Sequence, residues 1–229
     1  MPETLNPALA PASAAPAVAP PKPRSSQDAI DLIVREEDSG PDYYARHYTH
    51  FEWPLGASGP TVGIGYDCGY SSVAQIRADW IGFVSDDTVA ALQRAAGLTG
   101  ERAHQWVRAH GGSVTITWDQ AIAQFKAHEL LKWEKIVSDH LPGSDKLDGD
   151  CFGAITSIAY NRGPSFDAPG PRYAEMRSIK AHVATGNLVA VPGDILSMRR
   201  LWPKGGDLWN RRVHEAALFT QGLRAMGAA

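Results

Sequence analysis

Apolar residues recur at helical spacing near the start of the chain. Between residues 30 and 34 they stand at i, i+3 and i+4, directly behind the N-cap candidates Ser25 and Ser26. Gly40 and Pro41 then interrupt the pattern. The spacing therefore predicts a helix that begins at one of the two serines and ends before Gly40.

A carboxylate continues the apolar face of this helix. Glu37 stands at i+7 from Ile30, whereas Glu36 points about 100° away from that face. A carboxylate on an apolar stripe has to be desolvated, paired, or both. Glu37 is therefore a candidate for chemistry, although a glutamate at a helix end also commonly reaches solvent.

Helical patterns dominate the chain from residue 85 onward. They predict helices over about 85–96, 99–110, 117–141, 152–162, 173–185, 194–201 and 207–220. The third of these opens with the capping box formed by Thr117 and Gln120. Because it is the longest and carries a continuous apolar side, we expect it to be the central helix of the fold.

A glycine-rich stretch over residues 53–70 breaks the helical pattern. Within it, Thr61 to Gly65 alternates β-branched residues with glycine, which predicts a short β segment, and Asp67 follows. Residues 41–60 are rich in aromatic side chains and predict an irregular segment. Many helices with one small β patch indicate an α+β fold, with the strands confined to a small N-terminal lobe and a larger, mostly helical C-terminal lobe.

Length and charge narrow the class of protein. The chain has 229 residues, of which 44% are hydrophobic, and a net charge of −3. These values predict one compact domain over residues 25–229, with a sizeable core and no basic footprint for nucleic acid. No apolar run reaches the 18 residues typical of a transmembrane helix. We expect a monomer.

Residues 1–24 differ in composition from the rest. They are rich in proline and alanine and contain almost no large apolar residue, which predicts an extended, unpacked arm. The stretch does not resemble a signal peptide, because it starts with Glu3 and no Lys or Arg, and prolines interrupt any apolar region. Export by another route, or action where the protein is made, both fit.

The remaining chemistry-bearing residues leave alternatives open. Cys68 and Cys151 fit either two free thiols or one long-range disulfide, and their spacing does not choose. His47 and His50 form an H-x-x-H pair without a clear third ligand, so we predict no metal site. Arg211 stands four residues before Glu215, which fits a surface ion pair or an arginine turned inward to hold a buried carboxylate.

Four segments carry a shared pattern in a fixed order: Leu32–Glu37, Gly59–Asp67, Phe152–Gly163 and Asn210–Phe219. Taken together, they resemble the phage-type lysozymes of glycoside hydrolase family 24, and more closely the pesticin-like muramidase domains. The similarity spans roughly residues 26–222, and the four in this order are more specific than any one alone.

This resemblance implies a lysozyme-like fold and a Glu, Asp and Thr that cut the β-1,4 bond between N-acetylmuramic acid and N-acetylglucosamine. Glu37 matches the acid, with Glu36 as the alternative, and Thr61 matches the threonine. Phage enzymes place the aspartate before the threonine, but residues 54–60 contain no carboxylate. In the pesticin-like arrangement it follows, and Asp67 fits that pattern. Tyr66 and Arg211 are expected to support the site, with Arg211 holding Glu37.

The chemistry requires these residue types. A carboxylic acid has to donate a proton to the leaving oxygen, and a second carboxylate has to stay ionised. The resemblance implies inversion through a water that Asp67 and Thr61 hold, without metal or organic cofactor. The expected partner is peptidoglycan, and also an immunity protein if the chain is an antibacterial effector. An inert cell-wall-binding module and a glycosidase acting on chitin or chitosan are the alternatives.

Overall fold

The computed structural model describes residues 22–38 and 40–228. Most of the arm that the sequence predicts over residues 1–24 therefore lies outside the described residues. The described chain forms one antiparallel hairpin of two short strands, β1 (Thr61–Val62) and β2 (Tyr66–Asp67). Its α-helices are α1 (Gln27–Asp38), α2 (Pro41–His47), α3 (Val73–Trp80), α4 (Asp86–Gln93), α5 (Gly100–His110), α6 (Trp118–Gln124), α7 (Leu130–His140), α8 (Gly149–Arg162), α9 (Ala174–Thr185), α10 (Val191–Ser197) and α11 (Asp207–Ala225).

The predicted α+β class is confirmed, although the β segment is shorter than the sequence pattern suggests. Gly63 and Gly65 have φ angles of 60° and 68°, in the left-handed region that glycine tolerates best. The chain therefore turns back directly after Val62, and Thr61 pairs with Asp67 across the hairpin. Glu52 bridges Thr61 on its other side. The β lobe thus consists of three short antiparallel segments.

Two clusters of buried side chains hold the fold together. One surrounds the hairpin and includes Ile33, Tyr44, Ile64, Trp80 and Phe125. The other lies among the C-terminal helices and includes Phe152, Ile155, Ile179, Ile195 and Phe219. Cys68 belongs to the first cluster and Cys151 to the second, and both are buried free thiols.

The central helix is α8, not the segment over 117–141 that the sequence favours. Every residue from Cys151 to Ala159 is buried, and α8 packs against α1, α7 and α11. Gly153 allows the closest of these contacts, because a Cβ at this position would lie 2.1 Å from the Cβ of Ala29. The N-terminal helix is therefore set directly on the backbone of α8.

The segment over 117–141 connects the two clusters. It opens with the predicted capping box of Thr117 and Gln120. A π-helical turn, Phe125–Glu129, then separates α6 from α7. Phe125 lies in the first cluster and Val137 in the second, so this segment contributes to both clusters.

Two helices were not expected from the sequence. Residues 41–47 form α2 although their aromatic content suggested an irregular segment. Pro41 is the first residue of α2, where a backbone N–H would have no partner within the helix, so its absence does not destabilise α2. The same proline prevents α1 from continuing. Ser72 caps α3 by accepting a hydrogen bond from the Gln75 N–H.

The described chain is fixed to the fold from Arg24 onward. The backbone N–H groups of Arg24 and Ser25 donate to the two carboxylate oxygens of buried Glu134, at 2.9 and 2.8 Å. The Ser26 hydroxyl accepts from the Ala29 N–H at 3.1 Å, as its predicted capping role requires. Within residues 22–38 and 40–228, no helix is both long and apolar enough to span a membrane.

Candidate active site

The last turn of α1 places Glu37 at a cavity beside the hairpin. Ile30, Ile33 and Val34 are buried, so they fix the orientation of the helix, and the Glu37 side chain on the same face is 26% exposed. The cavity has a volume of about 310 Å³. Its polar and aromatic walls are made by Glu37, Tyr48, His50, Glu52, Trp53 and Thr61.

Arg211 reaches Glu37 from α11. Its Nη1 donates to Glu37 Oε1 at 2.6 Å, and its side chain is only 3% exposed. The same guanidinium donates through Nε to Glu215 Oε1 at 3.2 Å. The structure therefore contains elements of both sequence interpretations of Arg211. The i, i+4 pair with Glu215 exists, but it is buried, and the arginine also holds Glu37.

A buried ion cluster underlies this contact. Glu215 is fully buried and also lies 2.8 Å from Arg212 Nε, while the Ser157 hydroxyl donates to it at 2.7 Å. Burial lowers the pKa of Arg211, but the charges of Glu215 and Glu37 outweigh burial and raise it. Arg211 therefore stays a cation under Glu37, held by groups that are themselves packed against α8.

Glu36 faces a different direction from Glu37. Its Oε1 lies 2.7 Å from His214 Nδ1 and 3.7 Å from Arg35 Nη2. It does not contribute to the walls of the cavity. Of the two adjacent glutamates that the sequence leaves as candidates for the acid, Glu37 is the one that the fold places at the cavity.

Thr61 lies in the middle of the three β segments. Its N–H donates to the Glu52 carbonyl at 2.8 Å, and the Glu52 N–H donates to the Thr61 carbonyl at 2.9 Å. Its hydroxyl donates to the Gly59 carbonyl at 3.2 Å. Thr61 lines the same cavity as Glu37. The backbone pairing on both edges thus fixes the threonine opposite the end of α1.

Glu52 is the residue that the sequence analysis missed. It lies directly opposite Thr61, so the two side chains share one face of the β segments, and it lines the cavity. Partial burial raises the pKa of Glu52, although His50 and His47 act in the opposite direction. Residues 54–60 contain no carboxylate, and Glu52 lies two positions upstream of that stretch, next to the buried Phe51.

Asp67 has a different environment. Its Oδ2 accepts from the Gly59 N–H at 2.9 Å and its Oδ1 accepts from the Gly69 N–H at 2.8 Å. Asp67 lines a separate pocket of about 260 Å³, which shares Gly65 with the cavity of Glu37. The structure brings Glu37 and Thr61 together, and it places Asp67 as a clamp on the glycine-rich turns beside them.

Tyr66 also lies outside the walls of the Glu37 cavity. It is 2% exposed, and its hydroxyl donates to Asp79 Oδ2 at 2.8 Å. Burial raises the pKa of Tyr66, so the phenol stays protonated at any pH at which the protein would work. Its hydrogen bond to Asp79 therefore connects β2 to α3. The catalytic and supporting roles that the sequence assigns to Asp67 and Tyr66 stay predictions.

Comparison with known proteins supports the fold. A family model described as a domain of unknown function (DUF8812) matches residues 33–138. No curated protein matches the chain. The active form of the P1 phage endolysin Lyz is similar in structure, with a TM-score of 0.53 and 20% identity over 87% of this chain and 86% of that one. A mutant of P22 lysozyme gives a TM-score of 0.48 and 22% identity, over 86% of this chain and 98% of that one. The chain therefore has a lysozyme-like α+β fold.

Proposed function

We propose that this protein is a muramidase that hydrolyses the β-1,4 bond between N-acetylmuramic acid and N-acetylglucosamine in peptidoglycan. One observation carries the proposal. Glu37 from the end of α1, Glu52 from the bridging segment and Thr61 from β1 line a single cavity. Hydrolysis of a glycosidic bond generally requires two carboxyl groups, and this cavity has both. The likeness to a phage endolysin adds support at the level of the fold.

Glu37 is the proposed acid. It transfers its proton to the glycosidic oxygen as the bond between that oxygen and the anomeric carbon breaks. Arg211 donates to Oε1 at 2.6 Å, so it positions this oxygen of the carboxyl group. The guanidinium is itself fixed by Glu215 and by the Ser157 carbonyl. Precise orientation of the acid is the contribution that we assign to this buried cluster.

Glu52, in place of Asp67, is the proposed base. Both oxygens of Asp67 already accept backbone N–H groups, whereas Glu52 faces the cavity beside Thr61. Glu52 takes a proton from water as the water oxygen bonds to the anomeric carbon, and the Thr61 hydroxyl orients that water. A raised pKa suits this role, because a base is strongest when its pKa approaches the working pH.

Aromatic side chains form the proposed sugar-binding wall. The Trp53 ring stacks on His104 at 4.3 Å with an interplanar angle of 13°, and its Nε1–H donates to the Ser58 carbonyl at 3.1 Å. The ring is therefore held in a fixed orientation on the wall of the cavity. A rigid ring of this kind offers an apolar face to a sugar at small entropic cost.

Fragment analysis tests this function. Purified peptidoglycan is incubated with the wild type or with Glu37→Gln, and the soluble products are reduced and identified by mass spectrometry. We expect reduced N-acetylmuramic acid at the new ends from the wild type and at least about a hundredfold less from the folded variant. Cleavage of chitin oligomers without release of muropeptides would move the assignment to a chitinase. Sedimentation of the protein with cell walls and without products would indicate a binding module.

A further inference from the structure

A histidine, His50, stands on the wall of the cavity close to the proposed base in the chain. His50 and Glu52 lie on either side of Phe51, whose side chain is buried in the first cluster, and both line the cavity together with Glu37. The Phe51 N–H donates to the Gly111 carbonyl at 3.2 Å, which fixes the backbone between the two side chains. The cavity therefore contains a group that can carry a positive charge beside its two carboxyl groups.

One hydrogen bond holds the ring of His50. Its Nδ1 lies 2.6 Å from the carbonyl oxygen of Val114. Because a carbonyl oxygen only accepts, Nδ1 has to carry the hydrogen and donate it. Val114 does not belong to the walls of the cavity, so the bond turns Nδ1 away from the cavity. The partner of Nδ1 thus fixes the tautomer of the ring, and His50 gains or loses its charge at Nε2.

The second ring nitrogen of His50 is available for this proton exchange. Within residues 22–38 and 40–228, the only hydrogen bond of the His50 ring is the one to Val114, and His50 is an exposed residue that solvent reaches. A backbone carbonyl on one imidazole nitrogen is the common way in which proteins orient the other nitrogen for a function. The free nitrogen of His50 and the proposed base therefore share one cavity.

The charge of His50 acts on Glu52. Burial raises the pKa of Glu52, and the charge of His50 is the largest influence that opposes burial, followed by that of His47 at the end of α2. His47 does not line the cavity. Other titratable side chains at the cavity are Glu37, which Arg211 binds, Tyr48 and, stacked on Trp53, His104. His50 is therefore the cavity-lining cation that favours the ionised form of the proposed base.

We propose that His50 is a positioning residue for the base: its ring, held by Val114 and protonated at Nε2, keeps the Glu52 carboxylate ionised in the cavity. The role in turnover rests on the proposed function, in which Glu52 takes a proton from water. A base that is already protonated cannot do this. Histidine ordinarily becomes charged as pH falls from about 8 to 5. The support therefore grows as pH approaches the range in which Glu52 would take up a proton, and it extends activity toward acidic pH.

The pH dependence of the rate tests this role. Clearance of purified peptidoglycan is measured at pH 5 and pH 7.5. Removing the cation raises the pKa of Glu52, so relative to the wild type His50→Gln should lose at least about threefold more rate at pH 5 than at pH 7.5. His140→Gln is the matched control, because its Nδ1 also donates to a backbone carbonyl, that of Ile136 at 2.8 Å, but His140 does not line the cavity. It should keep the wild-type rate at both pH values.

A second variant separates charge from structure. His50→Lys keeps a cation at this position at both pH values, so its ratio of rates at pH 5 and pH 7.5 should stay within about twofold of the wild-type ratio. If the ring served only to hold the backbone near Val114, His50→Gln and His50→Lys would each lose the same fraction of the rate at both pH values. That result would overturn the proposal.

Titration followed by NMR separates this inference from the proposed function. The signals are the carboxyl carbon of Glu52 and the ring nitrogens of His50 in isotopically labelled protein. We expect the hydrogen of neutral His50 on Nδ1, a Glu52 midpoint at higher pH in His50→Gln, and a His50 midpoint shifted to lower pH by a similar amount in Glu52→Gln, because such coupling is reciprocal.

These shifts would support the coupling of His50 with Glu52 even if the protein clears no peptidoglycan, in which case only the muramidase proposal fails. Unchanged midpoints in both variants, or neutral His50 with its hydrogen on Nε2, would overturn the His50 proposal. An active wild type with either of these results would leave the hydrolase assignment intact.

Discussion

At the scale of single residues, Glu52 lines the cavity, and its negative charge is unfavourable for the stability of the fold. Its pKa is raised above the ordinary value of 4.5 by burial, so folding disfavours the ionised form. Well below pH 4.5 the group is protonated in both the folded and the unfolded chain and the penalty vanishes. As pH rises from 4.5 to the folded pKa, the ionised carboxylate lowers the stability of the fold, and above the folded pKa this loss of stability stays constant. Such a cost is typical of a group retained for function.

We therefore expect Glu52→Gln to be more stable than the wild type at pH 7 and equally stable at pH 3.5. Glu52 is an exposed residue whose carboxyl group is only partly desolvated, so solvent screening should keep the gain below about 0.5 kcal/mol. Thermal unfolding at the two pH values measures it. Glu101→Gln, at a side chain that is 69% exposed on α5, should show no such gain at pH 7. A loss of stability in Glu52→Gln at pH 7 would show that the carboxylate is favourably paired instead.

Glu215 illustrates a different case: burial raises its pKa, as for Glu52, but two buried arginines depend on its charge. Substitution Glu215→Leu leaves Arg211 and Arg212 buried without their shared partner, and we expect it to lower the free energy of unfolding by about 3–5 kcal/mol. Urea denaturation gives the value. The control is Asp139→Asn, which breaks an exposed ion pair of 2.7 Å with Lys135 and should cost less than about 1 kcal/mol. Equal costs for both would mean that the buried cluster does not hold α11 in place.

The sequence identifies the members of the site that lie on long periodic elements. The apolar stripe of α1 makes Glu37 a candidate without excluding a solvent-exposed glutamate, and the resemblance of the four segments to phage-type lysozymes implies both its role and that Arg211 holds it. Glu52 could not be found in this way, because its partner Thr61 is defined by backbone pairing between segments nine residues apart. The residue pattern within either segment does not predict this pairing, and the connecting loop does not define its register.

At the scale of elements, the hairpin depends on a close backbone contact. A Cβ at Gly59 would lie 2.3 Å from Asp67 Oδ1 and 2.5 Å from Gly69 Cα. Because backbone atoms cannot yield as a flexible side chain does, the Asp67 clamp requires glycine at this position. This contact gives Asp67 a structural role that needs no participation in catalysis.

We expect Gly59→Ala to cost at least about 2 kcal/mol of stability and to lower the hydrolytic rate of the folded fraction, because it displaces β1 and Thr61. Denaturation and turnover are measured on the same preparation. Gly56→Ala is the matched control: its φ is 61°, but a Cβ there meets nothing within 4 Å, so the cost should be near 1 kcal/mol with turnover kept. Wild-type turnover in Gly59→Ala would contradict the tight coupling between the clamp and Thr61.

Element types were predictable where propensity and packing agree. The helices from α4 onward lie where their apolar patterns predict them, although α10 is Val191–Ser197 instead of 194–201 and α11 continues to Ala225. Helix α1 begins at the predicted cap. Helix α2 was missed because its side chains are aromatic and mostly exposed, so no buried face marks it. The π-helical turn was missed because one inserted residue shifts the apolar face by only about 100°, which a window of average periodicity does not resolve.

At the scale of the whole molecule, the sequence correctly gives one small β lobe and a larger helical lobe. It does not reveal that α8 is the centre, since a helix buried on all sides has no amphipathic pattern to measure. The boundary of the folded part also shifts slightly. Arg24 is already fixed by Glu134, and its guanidinium carbon lies 3.7 Å from the Phe152 ring centroid.

Truncation tests this boundary. Removing residues 1–21 should leave both the unfolding midpoint and the hydrolysis of purified cell wall unchanged. Removing residues 1–25 should lower the free energy of unfolding by about 1–3 kcal/mol, because the buried Glu134 carboxylate loses both N–H donors. Circular dichroism during urea titration compares the two. Loss of activity after removal of residues 1–21, with folding intact, would give the N-terminal stretch a catalytic role.

The most direct measurement is the initial rate at which purified peptidoglycan suspensions clear, compared for folded Glu52→Gln and Asp67→Asn against the wild type. We predict that the wild type clears the suspension, that Glu52→Gln loses at least about a hundredfold in rate, and that Asp67→Asn keeps a rate within about tenfold of the wild type despite lower stability. The reverse order, with Glu52→Gln active and folded Asp67→Asn inactive, would contradict the assignment of Glu37, Glu52 and Thr61 as the catalytic set.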